Sequence, residues 1–478
     1  MRERIDHFIG AEWVPSAQRL DVYDPARGRV YASLAAGDAS HVEAAVNAAR
    51  SGARALQKLT HAERAALLLR LADLLESRAA EFALAESIDA GKPIALCRDI
   101  EIPRAIANLR FFAAAATQFG SESFADAHAM HLVVRSPLGI VGTISPWNLP
   151  LYLFTWKIAP ALAAGNAVIA KPSELTPQTA TLLAELTIAA GFPAGALNVV
   201  HGLGAKVGDA IVRHREIKAI SFTGGSQTGA LIASAAADQF KKLSLELGGK
   251  NATIVCADAD IDAAMPTLVR SAFQNQGQIC LCGSRIFVER AAFKKVRDAF
   301  VERVKALRIG DPQDPNTEQG ALISAAHLQK VQNHIEIAHS EGGRLLCGGE
   351  RAELGGDLSA GWFLQPTVFD NLPFNCATNQ DEIFGPVVSL IPFDHDEDLL
   401  SMANSTRYGL AASVFTSHHG RANRLAEKLD AGLVWINTWM TRDLRAPFGG
   451  VKQSGLGREG GAEAMRFFTE SKTISWPR

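Results

Sequence analysis

Between residues 40 and 90 the chain is rich in Ala and Leu, with charged residues spaced to leave one apolar face, the pattern of amphipathic helices. Pro103 opens a further helical stretch to about Gly120, a proline-first, glycine-last arrangement. Residues 121–131 are mixed and polar and predict an extension rather than core. From 138 to 256 the period changes. Short apolar runs at 139–144, 167–170, 197–200, 219–222 and 253–255 alternate with helical stretches. One such helix has Thr176 as its N-cap, Pro177 at the first helical position and Gly191 after its last turn. Apolar strands alternating with helices predict an α/β chain with a parallel sheet covered on both faces. A second alternating region runs from about 257 to 450, with strands at 285–288 and 433–436 and a helix at 291–307. The tail, 467–474, again reads as a strand. No repeat of 20–50 residues and no low-complexity tract interrupts this order.

Composition narrows the function classes. The 478 residues carry 48 basic and 50 acidic side chains, a net charge of −2, so no basic field is available for a nucleic acid or an anionic membrane surface. With 47% apolar and 21% charged residues, the chain is expected to fold over most of its length, into about three domains. No stretch reaches the ~18 uninterrupted apolar residues of a spanning helix, and residues 1–10 do not resemble a signal peptide. The six cysteines are too sparse for a disulfide framework. Cys280 and Cys282 lack the partners of a zinc site, so no metal is expected. A reducing cytoplasm is the expected address.

Several loops carry candidate chemistry. Ser145-Pro146-Trp147-Asn148-Leu149-Pro150 follows a strand; it is either a rigid turn capped by Asn148 or a mount that aims the Asn148 amide at a cavity as an oxyanion donor. Lys171 and Glu174 end the next strand, where ligands of open parallel sheets bind; they are either a surface ion pair or two groups for the hydroxyls of a ribose. Gly202, Gly204 and Gly208 form a glycine pattern one residue off the usual dinucleotide fingerprint. Phe222-Thr223-Gly224-Gly225 stands at a strand-to-helix junction where backbone N–H groups are approachable. Glu246, flanked by Leu245 and Leu247, is either a paired structural charge or a carboxyl with raised pKa suited to general-base work. Cys280 sits in a glycine-containing loop, either as an inert packed thiol or as a nucleophile; Cys282 is assigned the packing role.

Together these segments resemble the aldehyde dehydrogenase superfamily over nearly the whole chain. The most specific matches are residues 146–150, 171–174, 246–250 and 277–280, then Glu382-Ile383-Phe384-Gly385-Pro386 and Pro447-Phe448-Gly449-Gly450. The resemblance implies a Rossmann-like parallel-sheet NAD domain (1–118 and 137–248), a second α/β catalytic domain (249–450) and a small β oligomerisation arm (119–136 and 464–478). It implies NAD as cofactor, a small-molecule aldehyde as substrate and a homodimer or homotetramer. It makes Cys280 the nucleophile, Glu246 the general base, and Asn148, with the Cys280 backbone N–H, the oxyanion hole. Lys171 and Glu174 become the adenosine-ribose grip, and the Glu174 carboxylate favours NAD over NADP by repelling a 2′-phosphate. Gly225 and its helix lie under the pyrophosphate, and Glu382 and Phe384 contact the nicotinamide ribose. Ile144, Ser145, Trp147, Ser173, Gly204, Phe222, Thr223, Thr228, Leu247 and Gly248 complete the implied cofactor set. Trp156 lines the substrate tunnel.

A narrower likeness, carried by residues 99–108, 279–282, 437–450 and 455–460, is to the branch acting on 2-aminomuconate and 2-hydroxymuconate semialdehydes. There, arginines matching Arg104 and Arg442 hold the substrate's carboxylate, and Leu149 suits a flat conjugated acid. Arg104 has a physical argument of its own: in the first turn after Pro103 a cation opposes the helix dipole unless an anion joins it. The plainer readings are ion pairs of Arg104 with Glu101 or Asp99, and of Arg442 with Asp443. The segment between Arg104 and Asn148 is shorter than usual for the branch, and Met440 and Thr441 replace bulkier residues. A general aliphatic or amino-aldehyde dehydrogenase, and a non-catalytic protein on the same fold, are the competing expectations.

Overall fold

The computed structural model describes all 478 residues. Its centre is an eight-stranded sheet in which Lys242–Glu246, Ile217–Thr223, Ile140–Ile144, Ala167–Lys171 and Leu197–Val199 run parallel as neighbours. Gly455–Leu456 closes one edge antiparallel, and His7–Ile9 with Glu12–Val14 closes the other. A seven-stranded second sheet has the order Arg344–Cys347, Thr367–Asp370, Val387–Phe393, Arg285–Glu289, Ala252–Val255, Ala411–Phe415, Leu433–Ile436, all parallel except the first. The fold is therefore α/β, with two mainly parallel sheets, as the alternating apolar runs predict.

Core strands such as Ile140–Ile144 and Ala167–Lys171 are buried at every position, which is why they read as continuous apolar runs. The largest core joins the helices His61–Ser77, Ile102–Gln118 and Pro150–Ala163 to one sheet face. Pro150–Ala163 is buried on all sides, so its one lysine, Lys157, has to find a partner inside the protein.

The three-stranded arm pairs Thr469–Pro477 along the full length of Ala129–Pro137, with Glu122–Ala125 on the other side. The polar stretch at 121–131 is thus strand, held by ladder bonds. Its turn is closed by Asp126, which accepts the N–H groups of His128 and Ala129 at 2.8 and 2.9 Å. The tail strand starts later than its apolar pattern suggests, because Gly461–Phe467 is a short helix.

Two local expectations are corrected. The helix Gln178–Ala189 is not capped by Thr176, whose hydroxyl is buried without a partner; the Gln178 N–H goes instead to the Asp89 carboxylate at 2.8 Å. Arg104 does not lie at a helix start. The chain is already helical from Ile94, passes through a wide turn at Cys97–Glu101 and continues into Ile102–Gln118, so no exposed helix N-terminus faces Arg104.

Candidate active site

The central parallel strands end together at one sheet edge, and the loops beyond them carry the predicted nucleotide-side residues. Ile144, Ser145, Ser173, Phe222 and Thr223 are buried at or just past these ends. Lys171 is buried, and its Nζ donates to Glu174 Oε2 at 2.8 Å; the ion pair of the plainer reading is present, with only Glu174 reaching solvent. The Ser173 hydroxyl accepts the Leu175 N–H at 3.2 Å. Gly225 begins the helix Ser226–Ala236 with no side-chain cap, and Thr228 is exposed in its first turn. A side chain at Gly204 or Gly225 would meet no protein atom within 4 Å, so internal packing does not call for glycine at either place. What the two glycines leave is open space over a helix start, where backbone N–H groups suit a pyrophosphate. A dinucleotide therefore fits the residues present.

Glu382 approaches from the second sheet. Its Oε1 accepts the Gly249 N–H at 2.9 Å, and a Cβ on Gly248 would lie 2.4 Å from Oε2, so a larger residue there would push the Glu382 carboxylate aside. Phe384 adopts a left-handed backbone (φ 60°), sets its ring at a right angle to Trp147 with centroids 5.3 Å apart, and has its carbonyl bonded to His327 Nε2 at 2.7 Å. Leu247 packs over Gly229.

Cys280 follows a tight turn in which Asn275, Gln276 and Gly277 all have positive φ. Gly277 is needed twice over, because a Cβ would also lie 2.2 Å from the Gly385 carbonyl. The loop is held at several points. Asn251 Nδ2 donates to the Cys280 and Cys282 carbonyls at 2.7 and 2.9 Å, and Trp439 Nε1 to the Leu281 carbonyl at 2.9 Å. Burial, then the Glu382 and Glu246 carboxylates, push the Cys280 thiol above its ordinary range, while Arg442 acts against them. Cys282 is packed in the core, and burial pushes it up to about 12.

Asn148 lies beside this loop. Its Nδ2 donates to the Gln278 carbonyl at 2.9 Å, which occupies one amide hydrogen and leaves the second free. Glu246 ends its strand buried, with neither carboxylate oxygen hydrogen-bonded. Burial, then the neighbouring Glu459, hold its pKa well above the usual carboxylate range, with Lys157 opposing. The structural-charge reading of Glu246 thus has no partner to support it.

Near the thiol, aromatic rings surround Arg442. The Arg442 guanidinium stands 4.2 Å from the Phe448 ring centroid, 5.1 Å from Trp156 and 5.6 Å from Tyr152, and bonds the Tyr152 hydroxyl. Arg104 lies 5.9 Å from the Tyr152 ring and donates weakly to the Met440 carbonyl at 3.5 Å. Neither has a carboxylate partner: Asp99 pairs with Arg98, Glu101 with Lys92, and Asp443 with Arg445. Leu149 is buried against Tyr152 and Leu153.

Sequence reasoning missed the group behind Glu246. Lys157 Nζ donates to Glu459 Oε1 at 2.8 Å, and the Ser221 hydroxyl to the same oxygen at 2.9 Å. The available signal was a single lysine inside an apolar helix. His327, behind Phe384, and Lys92, behind Asn148, were missed as well. No group of three or more His, Cys, Asp or Glu side chains is placed to hold a metal, and no helix is long and apolar enough to cross a membrane.

The comparisons with known proteins agree with this geometry. The model of the aldehyde dehydrogenase family matches residues 13–474. A 2-aminomuconic semialdehyde dehydrogenase of Bos taurus is 48% identical over 475 residues, covering 98% of each chain. A 2-hydroxymuconic semialdehyde dehydrogenase of Pseudomonas sp. (strain CF600) is 45% identical over 485 residues, covering 99% of each. The NAD+ complex of an aldehyde dehydrogenase from Bacillus cereus superposes with a TM-score of 0.96 at 38% identity, over 99% of this chain and 97% of that one. The chain belongs to the aldehyde dehydrogenase family, and it oxidises aldehydes with NAD.

Proposed function

We propose that the substrate is a semialdehyde carrying a carboxylate, of the 2-aminomuconate or 2-hydroxymuconate type, and that Arg104 and Arg442 hold that carboxylate. The observation that carries this reading is the pair of arginines, free of acidic partners, that lie 5.9 and 5.6 Å from the Tyr152 ring centroid. Cations left unpaired and partly buried are costly, and an anionic substrate offsets that cost. A neutral aliphatic aldehyde would leave both uncompensated, and a cationic amino-aldehyde would be repelled.

In the proposed reaction Cys280 Sγ, as thiolate, adds to the aldehyde carbon. The free amide hydrogen of Asn148 and the Cys280 backbone N–H receive the oxyanion of the thiohemiacetal. NAD, when bound, supplies the hydride acceptor, and loss of hydride leaves a thioester on Cys280. Glu246 in its carboxylate form, made more basic by its raised pKa, takes a proton from water as the oxygen attacks the thioester; collapse releases the acid and the Cys280 thiolate. The nucleotide is assigned to Ile144, Ser145, Trp147, Lys171, Ser173, Glu174, Gly204, Phe222, Thr223, Gly225, Thr228, Leu247 and Gly248, with Glu382 and Phe384 at the nicotinamide end. Trp156 and Leu149 line the aldehyde's path.

Residues 1–118 and 137–248 act in this reading as the nucleotide domain, 249–450 as the catalytic domain, and 119–136 with 464–478 as an arm that joins subunits into a dimer or tetramer. Phe124, Met130 and Trp476, exposed by 59%, 47% and 42% on the arm, support a partner for it. The six free cysteines suit the proposed cytoplasmic location. The test is NADH absorbance against a panel of carboxylated and neutral aldehydes. Selective turnover of the carboxylated members supports the reading, and an even response across the panel discards it.

A further inference from the structure

Lys92 is fully buried, 56 residues from Asn148 in sequence, and its ammonium group is saturated. Nζ donates to Glu101 Oε2 at 2.6 Å, to Glu86 Oε1 at 3.1 Å and to the Asn148 backbone carbonyl at 3.1 Å, which uses all three of its hydrogens. The second acceptor position of the same carbonyl is taken by Asn275 Nδ2 at 3.0 Å, from the turn that leads to Cys280. Glu86 reaches past Asn148: its Oε2 accepts the Leu151 N–H at 3.2 Å, in the first turn of Pro150–Ala163. The Asn148 carbonyl and the helix start that follows it are thus held by one buried ion cluster. Burial alone would lower the Lys92 pKa, yet Glu101 and Glu86 raise it above its ordinary value, so the ammonium stays charged.

Such a cluster is a poor way to gain stability, since burying three charged groups costs much of what their attraction returns. What it does supply is direction. A carbonyl with both lone pairs engaged cannot rotate, and the Asn148 side chain leaves the backbone next to it. We propose that Lys92 is a positioning residue for catalysis: it fixes the Asn148 peptide so that the amide hydrogen left free by Gln278 points at the developing oxyanion. This rests on the reading of Asn148 as the oxyanion donor.

The test is a double-mutant cycle on the full-length enzyme, with NADH formation as the activity and quenching of tryptophan fluorescence by NAD as an independent report of the bound nucleotide. Lys92→Met is expected to lower kcat about 10- to 100-fold, the scale of a small misplacement of a catalytic group, with nucleotide affinity within about twofold of wild type. Asn148→Ala is expected to lower kcat more, and the double variant to be no slower than Asn148→Ala alone, because Lys92 acts only through Asn148. Should Lys92→Met fail to fold with two carboxylates uncompensated, Lys92→Met/Glu101→Gln removes the cation together with one of them and enters the same cycle. A kcat within twofold of wild type for either Lys92 variant, or losses that multiply in the double variant, overturns the proposal. An Asn148→Ala enzyme of normal kcat overturns instead the oxyanion reading beneath it.

Discussion

Arg104 and Arg442 share the ring of Tyr152, their guanidinium carbons 5.9 and 5.6 Å from its centroid, and neither is neutralised by an acidic side chain. Two unpaired arginines 338 residues apart in sequence meet at one aromatic ring, and on the proposed reading they receive the carboxylate of the substrate.

Replacing either arginine should therefore discriminate by substrate charge. A charge-assisted hydrogen bond is worth roughly 1.5–3 kcal/mol. Arg104→Ala and Arg442→Ala are each expected to raise KM for a carboxylated semialdehyde about 10- to 100-fold, and to leave KM for a neutral aldehyde within about twofold. Steady-state kinetics with both substrates checks this; equal losses on both would show that the arginines only support the surrounding aromatic rings.

The Asn148 amide has one hydrogen committed to Gln278 and one free. Asn148→Ala should lower kcat about 10²- to 10³-fold, the usual effect of deleting one oxyanion donor. The thermal midpoint should move little, because the backbone carbonyl held by Lys92 and Asn275 is retained. Calorimetry alongside single-turnover kinetics separates the two effects.

The Cys280 thiol is pushed up by burial and then by the Glu382 and Glu246 carboxylates. Removing a nearby negative charge favours the thiolate, so Glu382→Gln should shift the thiol pKa downward. In the enzyme without nucleotide, alkylation of Cys280 by iodoacetamide at a fixed pH near 8 should become faster, and its pH profile should move to lower pH. An unchanged profile would mean that Glu382 does not govern the thiol.

Thr469–Pro477 pairs with the whole of Ala129–Pro137. Deleting residues 469–478 exposes that strand's edge and removes Trp476. Sedimentation velocity should register a dimer or tetramer for the full chain and a smaller species for the truncated one. Identical profiles would place the subunit contact elsewhere.

Much of this architecture is legible along the chain, for physical reasons that differ by element. Buried parallel strands announce themselves as apolar runs, and the turns that carry Asn148 and Cys280 are marked by proline and by glycine at a position, Gly277, that no other residue tolerates. The missed features are all long-range pairings. Lys157 meets Glu459 across 302 residues, and Lys92 meets Asn148 across 56. Asp89 takes the N-terminal donor that local pattern reserves for Thr176. No helix start isolates Arg104, because the π-helical turn at Cys97–Glu101, which has no compositional signature, continues the helix backwards. The missing acidic partner of Arg104 is visible only once Asp99 and Glu101 are seen engaged with Arg98 and Lys92.

On the proposed reading the aldehyde carbon becomes bonded to Cys280 Sγ and is released by water that Glu246 activates. The most direct measurement is peptide mass mapping of the Glu246→Gln variant, quenched after mixing with NAD and a carboxylated semialdehyde. A burst of about one NADH per active site and an acyl mass on the peptide containing Cys280 are expected. Sustained turnover with no adduct, or an adduct confined to Cys282 or another cysteine, would contradict that reading.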